Sequence, residues 1–165
     1  MGGRAESLKH ETEPRSGADR GNDLDFAATL LGRAGDASPR KAERTRLRLL
    51  AAIAGELSAG VSRSGLTVAA VAARAGLAHG TLYRYFADLD AALAALVEEF
   101  ARFVLAALSE ARAGEAGSRA RVRQVTLVYT RLFAANAGLM RYLVGLGGAD
   151  AGFAEAYRRL NRDWY

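Results

Sequence analysis

The chain has 165 residues, half of them hydrophobic, and no cysteine, so it is long enough for one ordinary domain and has neither disulfides nor thiolate metal sites. Its polar start lacks the apolar core of a secretory signal, and no apolar run approaches the roughly 18 residues of a membrane span, so we expect a soluble, cytoplasmic protein. The net charge is +5, and residues 41–87 alone carry seven basic and two acidic side chains, which indicates either a phosphate-binding surface or a solvated helix face.

The N-terminal stretch, residues 1–37, mixes Gly, Ser, Asp, Glu and Arg without sustained periodicity. Such a composition buries too little apolar surface to offset the entropy of ordering, so we expect a disordered arm. Only "DLDFAATLLGRA", residues 23–34, favours a short amphipathic turn. Its length is close to the roughly 12-residue limit below which isolated helices are marginal, so we expect disorder there too.

The first long helix is predicted over "SPRKAERTRLRLLAAIAGELSAG". Ser38 is a natural N-cap, Pro39 suits the first helical position, and Gly60 suits the C-terminal stop. Apolar residues recur at helical spacing, namely Leu50, Ile53, Ala54 and Leu57. The early turns are basic, with Arg40, Lys41, Arg44 and Arg48.

Two short helices follow around a glycine turn. In "LTVAAVAARAG" Thr67 is placed to cap a helix of about eight residues, and Gly76 ends it in a left-handed conformation. In "HGTLYRYF" Leu82 and Phe86 share one face of a third helix. This is the geometry of a helix-turn-helix, whose first helix crosses the nucleic-acid backbone and whose second enters the major groove.

A longer helical pattern begins at Asp88, a cap followed by an acidic turn and some 25 residues of helix. Its apolar positions are Leu93, Leu96, Val97, Phe100, Val104 and Leu108. Further helices are expected at about 118–135, 137–146 and 150–165, divided by "NAG" and "GLGGAD". The predicted fold is therefore all-α, with a three-helix head over residues 38–87 and a shortened helical layer over residues 88–165.

The segment "TVAAVAARAGLAHGTLYRYFADLDAAL", with Arg46 and "LLAA" upstream, resembles the DNA-binding domain of TetR/AcrR-type transcriptional regulators. The resemblance covers about 48 residues, from Arg46 to Leu93, and glycine, threonine, tyrosine and phenylalanine all fall in the family's register. It implies a sequence-specific DNA-binding regulator, a repressor that a small apolar ligand releases. The alternative is a helical protein-interaction module whose degenerate helix-turn-helix no longer binds DNA.

Roles in DNA binding follow from the resemblance. It implies that Thr67 touches a phosphate, that Gly80 lets the recognition helix approach the duplex, and that Thr81 and Tyr83 anchor on phosphates. It places His79, Arg84 and Tyr85 nearest the base edges, with Arg84 the best candidate for a guanine contact. Lys41 and Arg44 are expected to add contacts that do not depend on sequence. For the two tyrosines ordinary packing remains an alternative, as does an idle exposed ring for His79.

The sequence departs from the family pattern in three respects. Ala78 stands where the family often has serine, which removes an N-cap acceptor worth about 1 kcal/mol. Leu89 stands where it often has a phosphate-binding lysine, and Asp88 and Asp90 flank that position. We therefore expect weaker attraction to DNA at this edge.

The layer after Asp88 is implied to enclose a ligand pocket. Its candidate lining residues are Phe100, Phe103, Thr126, Tyr129, Phe133 and Tyr142, with Asn136, Met140, Phe153, Tyr157 and Trp164 as further candidates. Core packing is the alternative for each. Family members dimerise through two last helices, and this chain ends at "AYRRLNRDWY", where we expect that pair to be absent. A homodimer is thus expected only as weak self-association.

Catalytic apparatus is not visible in the sequence. The two histidines are His10, in the predicted arm, and His79, and there is no phosphate-cradling Gly-x-x-x-x-Gly-Lys run. The adjacent carboxylates Glu98 and Glu99 point apart on a helix and are expected to form a solvated face. We therefore predict no enzyme activity, no cofactor and no metal, and double-stranded DNA as the partner.

Overall fold

The computed structural model describes residues 24–114 and 117–146, and every regular element in this part of the chain is helical. The six α-helices are α1 (Phe26–Gly35), α2 (Lys41–Ser58), α3 (Val68–Ala75), α4 (Leu89–Ala113), α5 (Ser118–Ala135) and α6 (Ala137–Leu146). Two 3₁₀ turns, Arg63–Gly65 and His79–Arg84, lie on either side of α3. The all-α prediction is confirmed, and the helix predicted at 150–165 lies outside the described residues.

Helix α1 corrects the prediction of disorder through residue 37. Asp25 caps it, its Oδ1 accepting a hydrogen bond from the Ala28 backbone N–H at 2.9 Å. Phe26 and Leu30 are buried in the common core, where α1 packs against α2. Tertiary burial thus stabilises a helix that would be marginal in isolation. The remainder of the predicted arm, residues 1–23, lies outside the described residues.

Helix α2 is the central element, and α1, α3, α4 and α6 all contact it. It begins later than predicted: Arg40 is the N-cap and makes no side-chain capping bond, so Ser38 and Pro39 precede the helix. Its fully buried large side chains are Leu47, Leu49, Leu50, Ile53 and Leu57. Gly60, with φ of +90°, follows its end and confirms the predicted glycine stop.

Helix α3 has the predicted ends. The Thr67 Oγ1 accepts a hydrogen bond from the Ala70 backbone N–H at 3.1 Å, and Gly76 adopts the left-handed conformation with φ of +63°. A further contact reaches the same end from α2, because the Arg48 guanidinium donates to the Ala75 carbonyl at 2.6 Å. Both ends of this short helix are therefore fixed, which positions the segment that follows.

The layer after the head is built on α4, whose 25 residues begin after the predicted cap Asp88. Helix α5 packs on α4, while α6 returns to pack on α2. The α2–α6 approach requires glycine at position 138, since a Cβ there would lie 2.5 Å from the Ser58 Cα. Head and layer therefore share one continuous hydrophobic core.

Candidate nucleic-acid interface

The recognition segment, His79–Arg84, is a six-residue 3₁₀ helix. Leu82 is fully buried and Phe86, just beyond the segment, is 8% exposed, so both anchor it to the core as the spacing predicted. Tyr83 is 55% exposed, and His79 and Arg84 are also exposed. The segment thus presents a ring, an imidazole and a guanidinium to the outside on an anchored backbone.

The start of the recognition segment is open. Ala78 is its N-cap and supplies no side-chain acceptor, as expected from the missing serine. Gly80 is exposed, its φ is not positive, and a Cβ built on it meets nothing within 4 Å. Neither backbone conformation nor internal space requires glycine at position 80. Its lack of a side chain instead leaves room for an outside partner to approach the backbone.

Two further predicted contacts differ in availability. Thr67 is exposed, and its hydroxyl oxygen accepts the capping bond of α3 while its O–H can still donate to a phosphate oxygen. Tyr85 is half-buried and packs against the hydrophobic core. The core therefore covers part of the Tyr85 ring. Thr67, Thr81 and Tyr83 keep at least part of their surface accessible.

The seven basic side chains of residues 41–87 fall into two groups. Four of them contact the protein itself: Arg46 with Glu99, Arg48 with the Ala75 carbonyl, Arg63 with Asp90 and Arg74 with Glu56. The other three make no side-chain hydrogen bond or ion pair within residues 24–114 and 117–146, and they are Lys41, Arg44 and Arg84. These three cations belong to the set predicted to bind DNA. Because four of the seven side chains are engaged within the protein, three remain as candidates for contacts with phosphate.

The two aspartates after the recognition segment, Asp88 and Asp90, should repel DNA phosphates less than their charges alone suggest. The Asp88 carboxylate accepts the capping bond from the Ala91 backbone N–H at 2.7 Å. Asp90 accepts a hydrogen bond from the Arg63 Nε at 2.9 Å. Leu89 is buried and serves the core. The position lacks the lysine of the family pattern, but both neighbouring carboxylates are engaged by the protein.

Glu99 contradicts the prediction of a solvated carboxylate pair, because it is only 7% exposed. Its Oε1 accepts hydrogen bonds or ion pairs from Arg46 at 3.3 Å and Arg102 at 2.9 Å, and its Oε2 accepts from Arg33 at 3.3 Å. Burial by itself raises the pKa of this carboxyl, but hydrogen bonds and positive charge from Arg33 and Arg102 outweigh it and lower the pKa. The helical spacing in α4 did indicate burial, since Glu99 follows Leu96 by three residues on the face that packs against the core.

The predicted pocket residues lie in two places. Phe100 and Phe103 form a ring cluster with Phe26 of α1, at centroid distances of 5.1 and 5.3 Å. On α5, the Tyr129 and Phe133 rings contact each other at 4.2 Å. Thr126 is exposed on the same helix, and Tyr142 and Met140 of α6 are half-buried. Phe153, Tyr157 and Trp164 lie outside the described residues.

Asn136 serves the fold rather than a ligand. Its Oδ1 accepts a hydrogen bond from the Phe26 backbone N–H at 3.0 Å. Its Nδ2 donates to the carbonyls of Leu24 at 2.7 Å and Leu132 at 2.8 Å. The buried amide is thus occupied in joining the start of α1 to the α5–α6 junction, a long-range role that its position in "NAG" did not reveal.

Within residues 24–114 and 117–146, no three His, Cys, Asp or Glu side chains come together as metal ligands. None of the helices described is both long and apolar enough to cross a membrane.

Comparison with known proteins agrees with this geometry. Residues 61–96, from the loop before α3 through the recognition segment and into α4, match the family described as bacterial regulatory proteins, tetR family. Searches of curated proteins and of solved structures found no match. The helical fold and the matched region define a helix-turn-helix transcription regulator that binds DNA. The matched region is similar to the DNA-binding domain of the tetR family.

Proposed function

We propose that this regulator reads a specific duplex sequence with the recognition segment and acts as a repressor that a small apolar ligand releases. One observation carries the first part. Leu82 and Phe86 hold the segment in the core while the His79 and Arg84 side chains remain exposed, and Arg84 has no partner within the described residues. Sequence readout requires such side chains, held on a rigid support and free to reach base edges.

Arg84 is proposed as the main base contact. Its planar guanidinium can donate two hydrogen bonds to O6 and N7 of a guanine in the major groove. His79 lies at the exposed start of the segment and is proposed as a second base contact. Tyr85 is the weakest of the three, because its ring already packs against the core.

Phosphate contacts are proposed for Lys41, Arg44, Thr67, Thr81 and Tyr83, with Gly80 allowing close approach. Lys41 is the first residue of α2, and Arg40 caps that helix without a side-chain bond. Positive side chains at a helix N-terminus are unfavourable to the helix dipole, so helix stability does not explain this placement. A DNA phosphate bound there would compensate both the side-chain charge and the unpaired backbone N–H groups.

Selection from random duplex DNA with the full chain tests DNA readout. The proposal expects a single enriched sequence, bound with an affinity that falls steeply as salt rises. Lys41→Ala should weaken binding to all sequences alike and flatten the salt dependence by about one ion. Arg131→Ala is the matched control, since it removes one exposed positive charge from α5, outside the head. Absence of any enriched duplex would favour the interaction-module alternative.

Release by a ligand is proposed for the surface of α5. Tyr129 is 42% exposed beside Phe133, and Thr126 offers a hydroxyl one turn away. Apolar walls with few polar groups are typical of small-molecule sites. Tyr142 of α6 is half-buried and completes the proposed lining set, whereas Phe100 and Phe103 pack with Phe26 in a separate ring cluster. A true effector must lower DNA affinity by the same factor by which DNA lowers effector affinity; a ligand that binds without changing DNA affinity would contradict release.

Self-association is proposed as well, because helix-turn-helix proteins commonly read two half-sites as two-fold dimers. Val122 and Val144 are 66% and 71% exposed, and exposed apolar side chains of this kind favour association. Sedimentation equilibrium over a wide concentration range should show a concentration-dependent homodimer. A monomer at every concentration would contradict it.

A further inference from the structure

Glu99 joins three helices through its carboxylate. Arg33 comes from α1, Arg46 from α2 and Arg102 from α4 itself, and each guanidinium lies within 3.3 Å of one of the two carboxylate oxygens. Because Glu99 is buried and its pKa is lowered, the carboxylate is ionised at neutral pH and attracts all three cations. Two of the three pairs cross between helices, and only the Arg102 pair stays within α4.

Each end of this network leads to a different part of the protein. The Arg46 guanidinium lies over the Phe86 ring, 5.6 Å from its centroid, and Phe86 follows the recognition segment by two residues. Helix α1 is fixed at its start by Asn136, at the α5–α6 junction, and near its end by the Arg33 pair with Glu99. Contacts thus run from the recognition segment to the far end of the helical layer.

We propose that Glu99 is a positioning residue that sets the recognition segment relative to the helical layer, with α1 as a strap that holds this arrangement through Arg33. The proposal rests on the DNA-binding function above. Without the Arg33–Glu99 pair the head would still fold, because Leu82 and Phe86 stay buried in the core, but the head would sample more orientations on α4.

The Arg33 pair is better suited to orientation than to stability. The Arg33 side chain is 48% exposed, and ion pairs of exposed side chains contribute little to the free energy of unfolding. If Arg33 is removed, Glu99 keeps Arg46 and Arg102, so no buried carboxylate is left unpaired. Glu99→Gln, in contrast, would leave three guanidiniums beside a neutral group. That variant would change stability as well as orientation, so the two effects could not be separated.

The test measures distances directly. Because the chain has no cysteine, Ala73→Cys on α3 and Ala134→Cys on α5, both exposed, allow specific attachment of two spin labels to the full chain. Arg33→Ala should broaden or shift the label-to-label distance distribution, and Arg33→Lys should restore most of the parent distribution. Arg102→Ala is the matched control, since it removes the same charge and one ion pair with Glu99, but within α4.

Four results would overturn the proposal. They are an unchanged distribution in Arg33→Ala, an equal change in Arg33→Ala and Arg102→Ala, a failure of Arg33→Lys to restore the parent distribution, and loss of the folded state in Arg33→Ala, which would assign the pair to stability. The distances are measured without DNA, so they decide the positioning role even if the DNA-binding proposal fails. With a selected duplex, Arg33→Ala should bind about five-fold more weakly or worse, the lower range of coupling between distant sites, while Arg102→Ala should bind as the parent does.

Discussion

Helices α2 and α5 have the same length, 18 residues each, but are packed very differently. Nine residues of α2 are buried, whereas in α5 only Leu132 is. The recognition segment is therefore supported by a densely packed helix, and the layer presents a helix with much of its apolar surface uncovered. Densely packed elements can hold DNA-contacting side chains in fixed positions. Sparsely packed elements can change conformation at low energetic cost when a ligand or partner binds.

Leucine truncation gives the largest expected contrast between the two helices. Leu50→Ala in α2 removes a fully buried side chain and should lower the free energy of unfolding by about 2 to 5 kcal/mol. Leu127→Ala in α5, where the side chain is 41% exposed, should change it by about 0.5 kcal/mol or less. Urea denaturation measures both, and equal losses would contradict the difference in packing.

The close approach of α6 to α2 gives the next contrast. Gly138→Ala should cost about 1 to 3 kcal/mol, because the added Cβ would overlap the Ser58 backbone. Gly145→Ala, on the same helix and with nothing within 4 Å of its Cβ, should be neutral or stabilise by up to about 1 kcal/mol. Thermal unfolding followed by circular dichroism checks the pair, and a stabilising Gly138→Ala would show that the two helices are further apart.

The cap of α3 tests whether the head depends on local geometry as well as on its core. Thr67→Ala removes the oxygen that accepts from the Ala70 N–H and should destabilise by about 1 kcal/mol. Thr67→Ser keeps that oxygen and should recover most of the loss. Unfolding in urea compares the two variants, and identical losses would assign the effect to the threonine methyl group instead.

A smaller effect is expected from pH, because two of the cations around Glu99 are about half-exposed or more. The pKa of Glu99 is lowered in the folded state, so its contribution to stability is complete above the ordinary pKa of a glutamate. That contribution decreases as pH falls through the folded-state pKa. Unfolding free energies of the parent and Glu99→Gln should therefore converge in acid. A difference that stays constant from neutral pH to about pH 3 would contradict the ionised cluster.

Features set by neighbouring residues were predicted well from the sequence. Thr67, Gly76 and Asp88 cap or end their helices as expected, since capping and left-handed glycine depend on chemistry within one turn. Leu82 and Phe86 were placed correctly in the core by their spacing. Helix boundaries were less accurate, as the late start of α2 at Lys41 shows.

Features set by distant residues were missed. Helix α1 depends on Phe26 meeting Phe100 and on Asn136, 110 residues away, and no local pattern contains that information. Glu99 was assigned to solvent because an adjacent glutamate pair is usually exposed, whereas its burial depends on arginines from two other helices. The charge of the middle segment was likewise only a partial guide, because pairing with Glu99, Asp90 and Glu56 uses part of it.

The most direct test of the central claim is the base preference of Arg84→Ala on a selected duplex. Parent and variant are titrated against that duplex and against its single-base changes at constant salt, with Arg131→Ala as the charge-matched control. We expect Arg84→Ala to lose about 1 to 3 kcal/mol of discrimination at one guanine position, and Arg131→Ala to keep the parent's preference. An Arg84→Ala variant that binds all these duplexes with the parent's affinities would contradict readout by the recognition segment.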